Sequence, residues 1–185
     1  MRVIAGKFKG KPLFSPKGNN ARPTTDRVKE TLFNILYSMD CIDEAKVLDL
    51  FAGSGALGIE ALSRGASQCV FVDIDKKSVA LLKKNLENVG ASKPKYRVLH
   101  ADYKKAVMLL TDQRFDLIFI DPPFKAHNEK AIVDLILGSD ILSEDGVIVI
   151  EHEVQNDLAG LKTDNLPIKI DTRVLGNTAL TFLTY

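Results

Sequence analysis

The chain has 185 residues, of which 45% are hydrophobic and 26% are charged, with a net charge of +1. These proportions are typical of a soluble globular protein and exclude a chain that is disordered over most of its length. We expect one domain over residues 1–185, with a basic hairpin and loop at 1–23 and a core at 24–185.

The sequence carries no membrane or secretion signal. No apolar run approaches the roughly 18 residues that a membrane-spanning helix needs. The first residues lead into a basic segment without the apolar centre of a signal peptide, so we expect a cytoplasmic location. Two cysteines, Cys41 and Cys69, are too few for a disulfide framework, and we expect both to be reduced.

Positive charge is concentrated at the N-terminus. Residues 1–30 carry two acidic and eight basic side chains, the latter being Arg2, Lys7, Lys9, Lys11, Lys17, Arg22, Arg27 and Lys29. Such a cluster is typical of a surface that binds nucleic acid. A solvated arm that binds nothing is the alternative.

Strands and helices alternate along the chain. Residues 1–14 predict a short hairpin, followed by a loop. The predicted helices are 26–38, capped by Thr24 or Thr25, then 56–64, 76–88, one that ends at Leu110, and 128–138. The predicted strands are 46–51, 69–73, 96–100, 115–120, 146–150, 168–175 and 179–184. This order predicts an α/β Rossmann-like fold, in which helices cover both faces of a seven-stranded sheet. A closing antiparallel hairpin makes that sheet mixed.

A glycine-rich turn follows the first long strand. Gly53, Gly55 and Gly58 fit the pattern G-x-G-x-x-G, which allows a tight turn and a close approach of a ligand to the backbone. Dinucleotide sites and S-adenosylmethionine sites share this pattern. Asp49 favours the second, because a carboxylate repels pyrophosphate but can accept a hydrogen bond from the ammonium of a bound amino acid.

Two further acidic residues follow the next strands. Asp73 ends the second strand, where an acid suits a ribose diol, and Ile74 could pack on an adenine. We assign Asp75 to the cap of the following helix. Asp102, after the third strand, could accept a hydrogen bond from an adenine amino group, although a helix cap is nearly as good an explanation.

The most specific motif is Asp121-Pro-Pro-Phe124, directly after a hydrophobic strand. Doubly wound folds bind their ligands at the carboxyl ends of such strands, and the prolines stiffen the backbone there. A carboxylate and a backbone carbonyl can then face one amino group. Phe124 offers a face on which a planar base can stack.

These motifs resemble a known enzyme class. The glycine loop with Asp49, combined with Asp121-Pro-Pro-Phe124, resembles the class I S-adenosylmethionine-dependent methyltransferases that modify exocyclic amines of nucleobases. The segments 2–7 and 22–34 further resemble the bacterial 16S ribosomal RNA guanine-N2 methyltransferases of the RsmD family. This resemblance extends over essentially the whole chain.

The resemblance implies methyl transfer from S-adenosylmethionine to N2 of one guanine in 16S rRNA. The implied partner is the small ribosomal subunit or its assembly intermediate, and the enzyme is expected to be a monomer. The catalytic candidates are Asp121, Pro122 and Phe124. The cofactor candidates are Thr25, Asp49, Phe51, Gly53, Ser54, Gly55, Asp73, Ile74, Asp102 and Tyr103. The RNA-binding candidates are Arg2, Lys7, Lys9, Lys11, Arg22, Arg27 and Lys29. We expect no metal, because His100, His127 and His152 have no ligand spacing.

Other functions remain open from the sequence. A DNA adenine-N6 methyltransferase shares the acid-Pro-Pro-aromatic motif, but within 185 residues we expect no further domain that could read a DNA sequence. A protein-glutamine methyltransferase usually has Asn where Asp121 stands. An RNA-binding assembly factor could keep the fold without catalysis. A nicotinamide dehydrogenase would explain the glycine loop and leave Asp121-Pro-Pro-Phe124 unexplained.

Overall fold

The computed structural model describes residues 1–16, 25–122, 129–156, 158, 161 and 168–184. Its helices are α1 (Asp26–Ser38), α2 (Ala56–Ser63), α3 (Lys76–Val89), α4 (Tyr103–Met108) and α5 (Glu129–Gly138). Its strands are β1 (Lys46–Asp49), β2 (Gln68–Asp73), β3 (Tyr96–His100), β4 (Phe115–Ile120), β5 (Leu142–Glu153), β6 (Lys169–Leu175) and β7 (Thr178–Thr184). A short 3-10 turn, Lys93–Lys95, precedes β3. None of the helices in these ranges is long and apolar enough to cross a membrane.

The strands form one seven-stranded sheet in the order β3-β2-β1-β4-β5-β7-β6. The first five are mutually parallel, whereas β7 runs antiparallel to both β5 and β6. The order reverses between β1 and β4, and this switch point is where open α/β sheets bind ligands. The predicted mixed seven-stranded sheet is confirmed.

Helices pack on both faces of the sheet. On one face, apolar side chains of α1, α2 and α3 bury Val47, Phe71 and Phe119. On the other face, α4 and α5 bury Leu48 and Ile118, the alternate residues of the same strands. Because successive strand side chains point to opposite faces, central strands covered on both sides are continuously apolar.

Local signals fix most helix ends. The Thr25 side chain accepts a hydrogen bond from the Val28 backbone N–H and caps α1. Asp75 caps α3 in the same way through the Ser78 N–H, and Gly90 ends that helix with a left-handed φ of 71°. The Thr25 and Asp75 caps agree with the predicted ones. Strand β5 is longer than predicted, since it begins at Leu142 rather than near Gly146.

The N-terminal residues double back on themselves, as the predicted hairpin requires. The Val3 N–H donates to the Lys11 carbonyl, and the Leu13 N–H donates to the Met1 carbonyl. The ladder is shorter than expected, because the pairing comprises one isolated bridge between Arg2 and Pro12 rather than two strands.

Candidate active site and nucleic-acid interface

Acidic side chains converge at one edge of the sheet. Asp49, Asp73 and Asp121 stand at the carboxyl ends of β1, β2 and β4 or directly after them. Continuing the register that pairs Ile120 with Ile150 brings Glu151 of β5 beside Asp121. Because these strands are parallel, the four carboxyl groups share the ligand-binding edge.

The glycine loop connects β1 to α2, and a Cβ at Gly55 in the loop or at Gly58 in α2 would collide with neighbouring side chains. Gly55 has a φ of 81°, and a Cβ there would lie 2.3 Å from a methyl group of Leu82. A Cβ on Gly58 would lie 2.3 Å from the Phe71 ring, so this glycine lets α2 pack closely on β2. The predicted tight turn therefore agrees with the geometry, and the packing role of Gly58 is an addition that the structure makes.

Two carboxylates hold the loop from either side. The Gly58 N–H donates to Asp49 Oδ2 at 3.0 Å, and the Gly53 N–H donates to Asp73 Oδ2 at 2.8 Å. Asp49 is buried, and burial raises its pKa to about 7, with a further contribution from the negative charge of Asp73. The Asp75 N–H also donates to Asp73 Oδ1 at 2.8 Å. Both side chains are thus fixed in orientation.

Candidate residues for an adenosine lie around the same edge. Ile74 is 65% exposed, which leaves its side chain available to a planar base. Asp102 accepts a hydrogen bond from the Lys104 N–H through Oδ1 and caps α4. The rings of Phe51 and Tyr103 pack with centroids 5.6 Å apart. None of these observations tests whether Ile74, Asp102, Phe51 and Tyr103 bind the cofactor, so that role stays a prediction for each of them.

Asp121 stands directly after β4 and is half-buried, and Pro122 beside it is buried. Burial raises the pKa of Asp121 well above its ordinary value, and the charges of Glu151 and Asp49 add to this effect. The prediction for Phe124 falls on a residue outside the described ranges. In the part of the chain that is described, no group of three or more His, Cys, Asp or Glu side chains is arranged to hold a metal ion.

This edge fits S-adenosylmethionine. Carboxylates whose pKa values are raised by burial and by each other gain from a bound cation, and the cofactor carries both an ammonium and a sulfonium. The glycine loop gives the backbone access, while the exposed Ile74 offers an apolar surface. Asp49, Asp73 and the loop from Gly53 to Gly55 are the residues that would hold it.

A buried ion pair fixes the N-terminal segment, and it corrects one prediction. Lys29 Nζ lies 3.3 Å from Glu60 Oε2, and both side chains are fully buried. The same ammonium donates to the Arg2 carbonyl at 2.5 Å, while Glu60 accepts hydrogen bonds from the Ile4 and Ala5 N–H groups. The predicted RNA contact of Lys29 is therefore wrong, because its charge is used inside the protein. Burial lowers the pKa of Lys29, and the negative charge of the neighbouring Glu60 partly offsets this by raising it.

The other basic candidates that the structure describes are exposed on the surface. Lys7, Lys9 and Arg27 are exposed, and so is Arg2, whose Nε lies 3.5 Å from Asp26 Oδ2. Lys11 is exposed but donates from Nζ to the Val89 carbonyl at 2.8 Å. Arg22 lies outside the described residues. These side chains are available on the surface, and their contact with RNA stays a prediction.

Comparison with known proteins gives consistent matches. The family model described as Conserved hypothetical protein 95 matches residues 1–184. YlbH of Bacillus subtilis (strain 168) is 41% identical over 187 residues, covering 97% of each chain. "Ribosomal RNA small subunit methyltransferase D" of Haemophilus influenzae is 38% identical over 159 residues, which cover 85% of this chain and 81% of the relative. The chain belongs to the RsmD family of S-adenosylmethionine-dependent methyltransferases.

A solved structure from this family supports the same assignment. The Escherichia coli protein yhhF superposes with a TM-score of 0.83 at 34% identity, covering 100% of this chain and 97% of that one. The predicted class I methyltransferase fold, enzymatic activity and use of S-adenosylmethionine are confirmed.

Sequence reasoning missed two residues at this site. Glu151 comes directly after the apolar residues 147–150 of β5, just as Asp49 and Asp121 come directly after apolar residues, so the same sequence argument could have found it. Asn85 is fully buried in α3, where its Nδ2 donates to the Ser54 carbonyl at 2.8 Å and to the Phe14 carbonyl at 3.0 Å. Its Oδ1 accepts from the Phe14 N–H, so one amide connects the N-terminal segment to the glycine loop. No local pattern signals this role.

Proposed function

We propose that the chain transfers a methyl group from S-adenosylmethionine to the exocyclic N2 of one guanine in small-subunit rRNA. The observation that carries the proposal is the position of Asp121 and Pro122 at the carboxyl end of β4, next to the glycine loop that follows β1. Family membership supports the choice of rRNA over DNA, because the curated relative named above methylates small-subunit rRNA by its name.

Asp121 and Pro122 orient the amino group in this proposal. A guanine N2 lone pair is delocalised into the ring, which makes the nitrogen a weak nucleophile. When the N–H bonds donate to the Asp121 carboxylate and the Pro122 carbonyl, the nitrogen is directed at the methyl carbon. The bound cofactor supplies a sulfonium, which is already a strong electrophile, so positioning for in-line displacement contributes much of the rate.

Asp121 also accepts the proton that must leave. As the nitrogen–carbon bond forms, the sulfur–carbon bond breaks and its electron pair stays on sulfur. The nitrogen then loses one proton, which Asp121 takes and passes to solvent. A raised pKa makes this carboxylate a better base than an ordinary aspartate, and the positive charge of a bound cofactor acts in the opposite direction, favouring the ionised form.

The substrate must present its guanine outside the base stack. Enzymes that modify a base in this way extrude it into the active site, and the proposal gives Phe124 the role of stacking on it. We further propose the small subunit or its assembly intermediate as the partner, a monomeric enzyme and a cytoplasmic location. Residues 1–185 would form one domain, with its basic part at 1–23.

The first experiment incubates the protein with labelled S-adenosylmethionine and small subunits from a strain lacking the corresponding enzyme. Naked 16S rRNA and double-stranded DNA run in parallel, and the products are digested to nucleosides. We expect N2-methylguanosine from the subunits. Asp121→Ala should abolish this product. The matched control is Asp145→Ala, which removes an exposed acid near the start of β5, at the end of the strand away from the catalytic edge, and should retain the product.

Each alternative has its own outcome. Label recovered as N6-methyladenine in DNA would replace the guanine assignment and leave the role of Asp121 intact. Full biological effect of Asp121→Ala in cells would favour an assembly factor that acts without catalysis.

A further inference from the structure

The N-terminal segment runs antiparallel along α3. Lys11 contacts the C-terminal end of the helix, where its Nζ donates to the Val89 carbonyl at 2.8 Å. Three residues later, Phe14 bonds through its backbone to Asn85, one turn earlier in the helix. The exposed side of α3 and the N-terminal segment therefore form one continuous surface.

Lysines from outside the segment lie on this surface. Lys84 Nζ lies 4.0 Å from the centroid of the Phe14 ring, which is 39% exposed. At the other end, Lys7 lies close enough to Lys95 for the two charges to interact. Burial lowers the pKa of Lys7, and the positive charge of Lys95 lowers it further.

Together these side chains form what we call the basic track, which comprises Lys7, Lys9, Lys11, Lys84, Lys93 and Lys95. All six are exposed. Within the described ranges none of them forms an ion pair with a carboxylate, although Glu87 is exposed on the same helix. Gathering unpaired like charges on one surface is unfavourable unless a polyanion neutralises them.

The track is connected to the cofactor site. Asn85 joins Phe14 to the Ser54 carbonyl of the glycine loop, so the track begins beside the catalytic edge. From there it continues to the 3-10 turn Lys93–Lys95 that follows α3. A helix rises about 1.5 Å per residue, so an extended polyanion reaching the catalytic edge would pass several phosphates along this surface.

We propose that Lys84, Lys93 and Lys95 bind rRNA phosphates together with the N-terminal lysines, and thus extend the RNA-binding surface onto α3 and the turn after it. This inference rests on the proposed function. Lysine ammonium groups act as point charges, so the contacts hold and orient the RNA and read no sequence. The guanine is selected at the catalytic edge.

The test uses the triple variant K84A/K93A/K95A. Its matched control is K105A/K130A/K169A, which removes three exposed lysines from α4, α5 and the edge strand β6, away from the track. Methylation of small subunits gives kcat and KM, and binding of naked 16S rRNA is measured across a salt series. Binding of S-adenosylhomocysteine checks the cofactor site in each variant.

We expect the triple variant to weaken rRNA binding and raise the subunit KM by about ten-fold or more, with kcat and S-adenosylhomocysteine affinity unchanged. The slope of log affinity against log salt should fall by about 2–3, since each lost phosphate contact contributes about 0.7–0.9. The control variant should match the wild type.

Three results would overturn the inference. Equal behaviour of the triple variant and the control, with the wild type active, refutes the track and leaves the proposed function standing. A raised KM for subunits with unchanged binding of naked rRNA means that the lysines contact ribosomal protein. A wild type that neither binds nor methylates rRNA refutes the proposed function, and the inference with it.

Discussion

Replacing Glu60 with alanine removes an acceptor that serves four groups. Its carboxylate receives the Ile4 and Ala5 N–H groups, Arg64 Nε at 2.8 Å and Lys29 Nζ at 3.3 Å. Removing one partner of a buried pair costs about 3–5 kcal/mol, because the other charge stays buried and uncompensated. The two backbone N–H groups add about 1 kcal/mol or more each. We therefore expect Glu60→Ala to lower the free energy of unfolding by about 5 kcal/mol, a large part of the roughly 5–15 kcal/mol that a domain has.

Urea denaturation at pH 7, followed by circular dichroism, measures this loss. Lys29→Met should cost less than Glu60→Ala, because Glu60 keeps its other three donors. Asp134→Ala is the matched control, since it breaks an exposed pair with Lys130 at 3.5 Å and should cost about 0.5 kcal/mol or less. If Glu60→Ala and Asp134→Ala destabilise the protein equally, the buried pair does not hold the N-terminal segment and the reasoning is wrong.

Three further predictions concern the active site. Asp49→Asn should stabilise the cofactor-free protein at pH 8 by up to about 4 kcal/mol. The pKa of Asp49 is 3.8 in the unfolded chain and about 7 in the folded protein, so the wild type loses stability as the pH rises from 3.8 to 7, whereas the uncharged Asn does not. Urea titrations should show this gap closing at pH 4, and calorimetry should show weaker S-adenosylmethionine binding; a constant gap contradicts the assignment. The acidic limb of kcat/KM for S-adenosylmethionine reports the pKa of Asp121 in the free enzyme, and it should lie above the ordinary aspartate pKa of about 3.9. The acidic limb of kcat reports the complex and should lie at lower pH, because the bound cation lowers the pKa of Asp121. Steady-state rates across pH measure both limbs, and coincident limbs contradict that coupling. Asn85→Asp should raise the Kd of S-adenosylhomocysteine about ten-fold, because it removes the donors to the Ser54 and Phe14 carbonyls; an unchanged Kd in a folded variant shows that Asn85 does not position the loop.

Local sequence signals predicted the parts of the fold that local interactions determine. Thr25, Asp75 and Gly90 occur at helix ends because each satisfies backbone groups within its own turn. Strand β5 was predicted too short because polar residues flank its apolar centre, at Ser143 to Asp145 on one side and Glu151 to Glu153 on the other. They nevertheless belong to the strand, where the register against β4 shifts between Phe115 and Leu117.

The candidate site divides in the same way. Asp49, Asp73 and Asp121 could be predicted because an acid directly after an apolar strand is visible in the sequence. Lys29 was misinterpreted because a lysine near the start of an amphipathic helix ordinarily faces solvent, whereas here its partner Glu60 comes from the following helix. Tertiary contacts of this kind leave no trace in the spacing of residues along one element.

Several partners of the N-terminal segment are encoded far downstream. Ile4 and Ala5 donate hydrogen bonds to Glu60, Phe8 donates to Ser63, and Lys11 donates to Val89. The two residues of each pair are 55–78 positions apart in the sequence. During synthesis this basic segment is made before α2 and α3, and it cannot dock until α3 has also left the exit tunnel. A nascent chain of this protein therefore carries an undocked cationic segment until α3 has emerged, on the surface of an rRNA-rich particle.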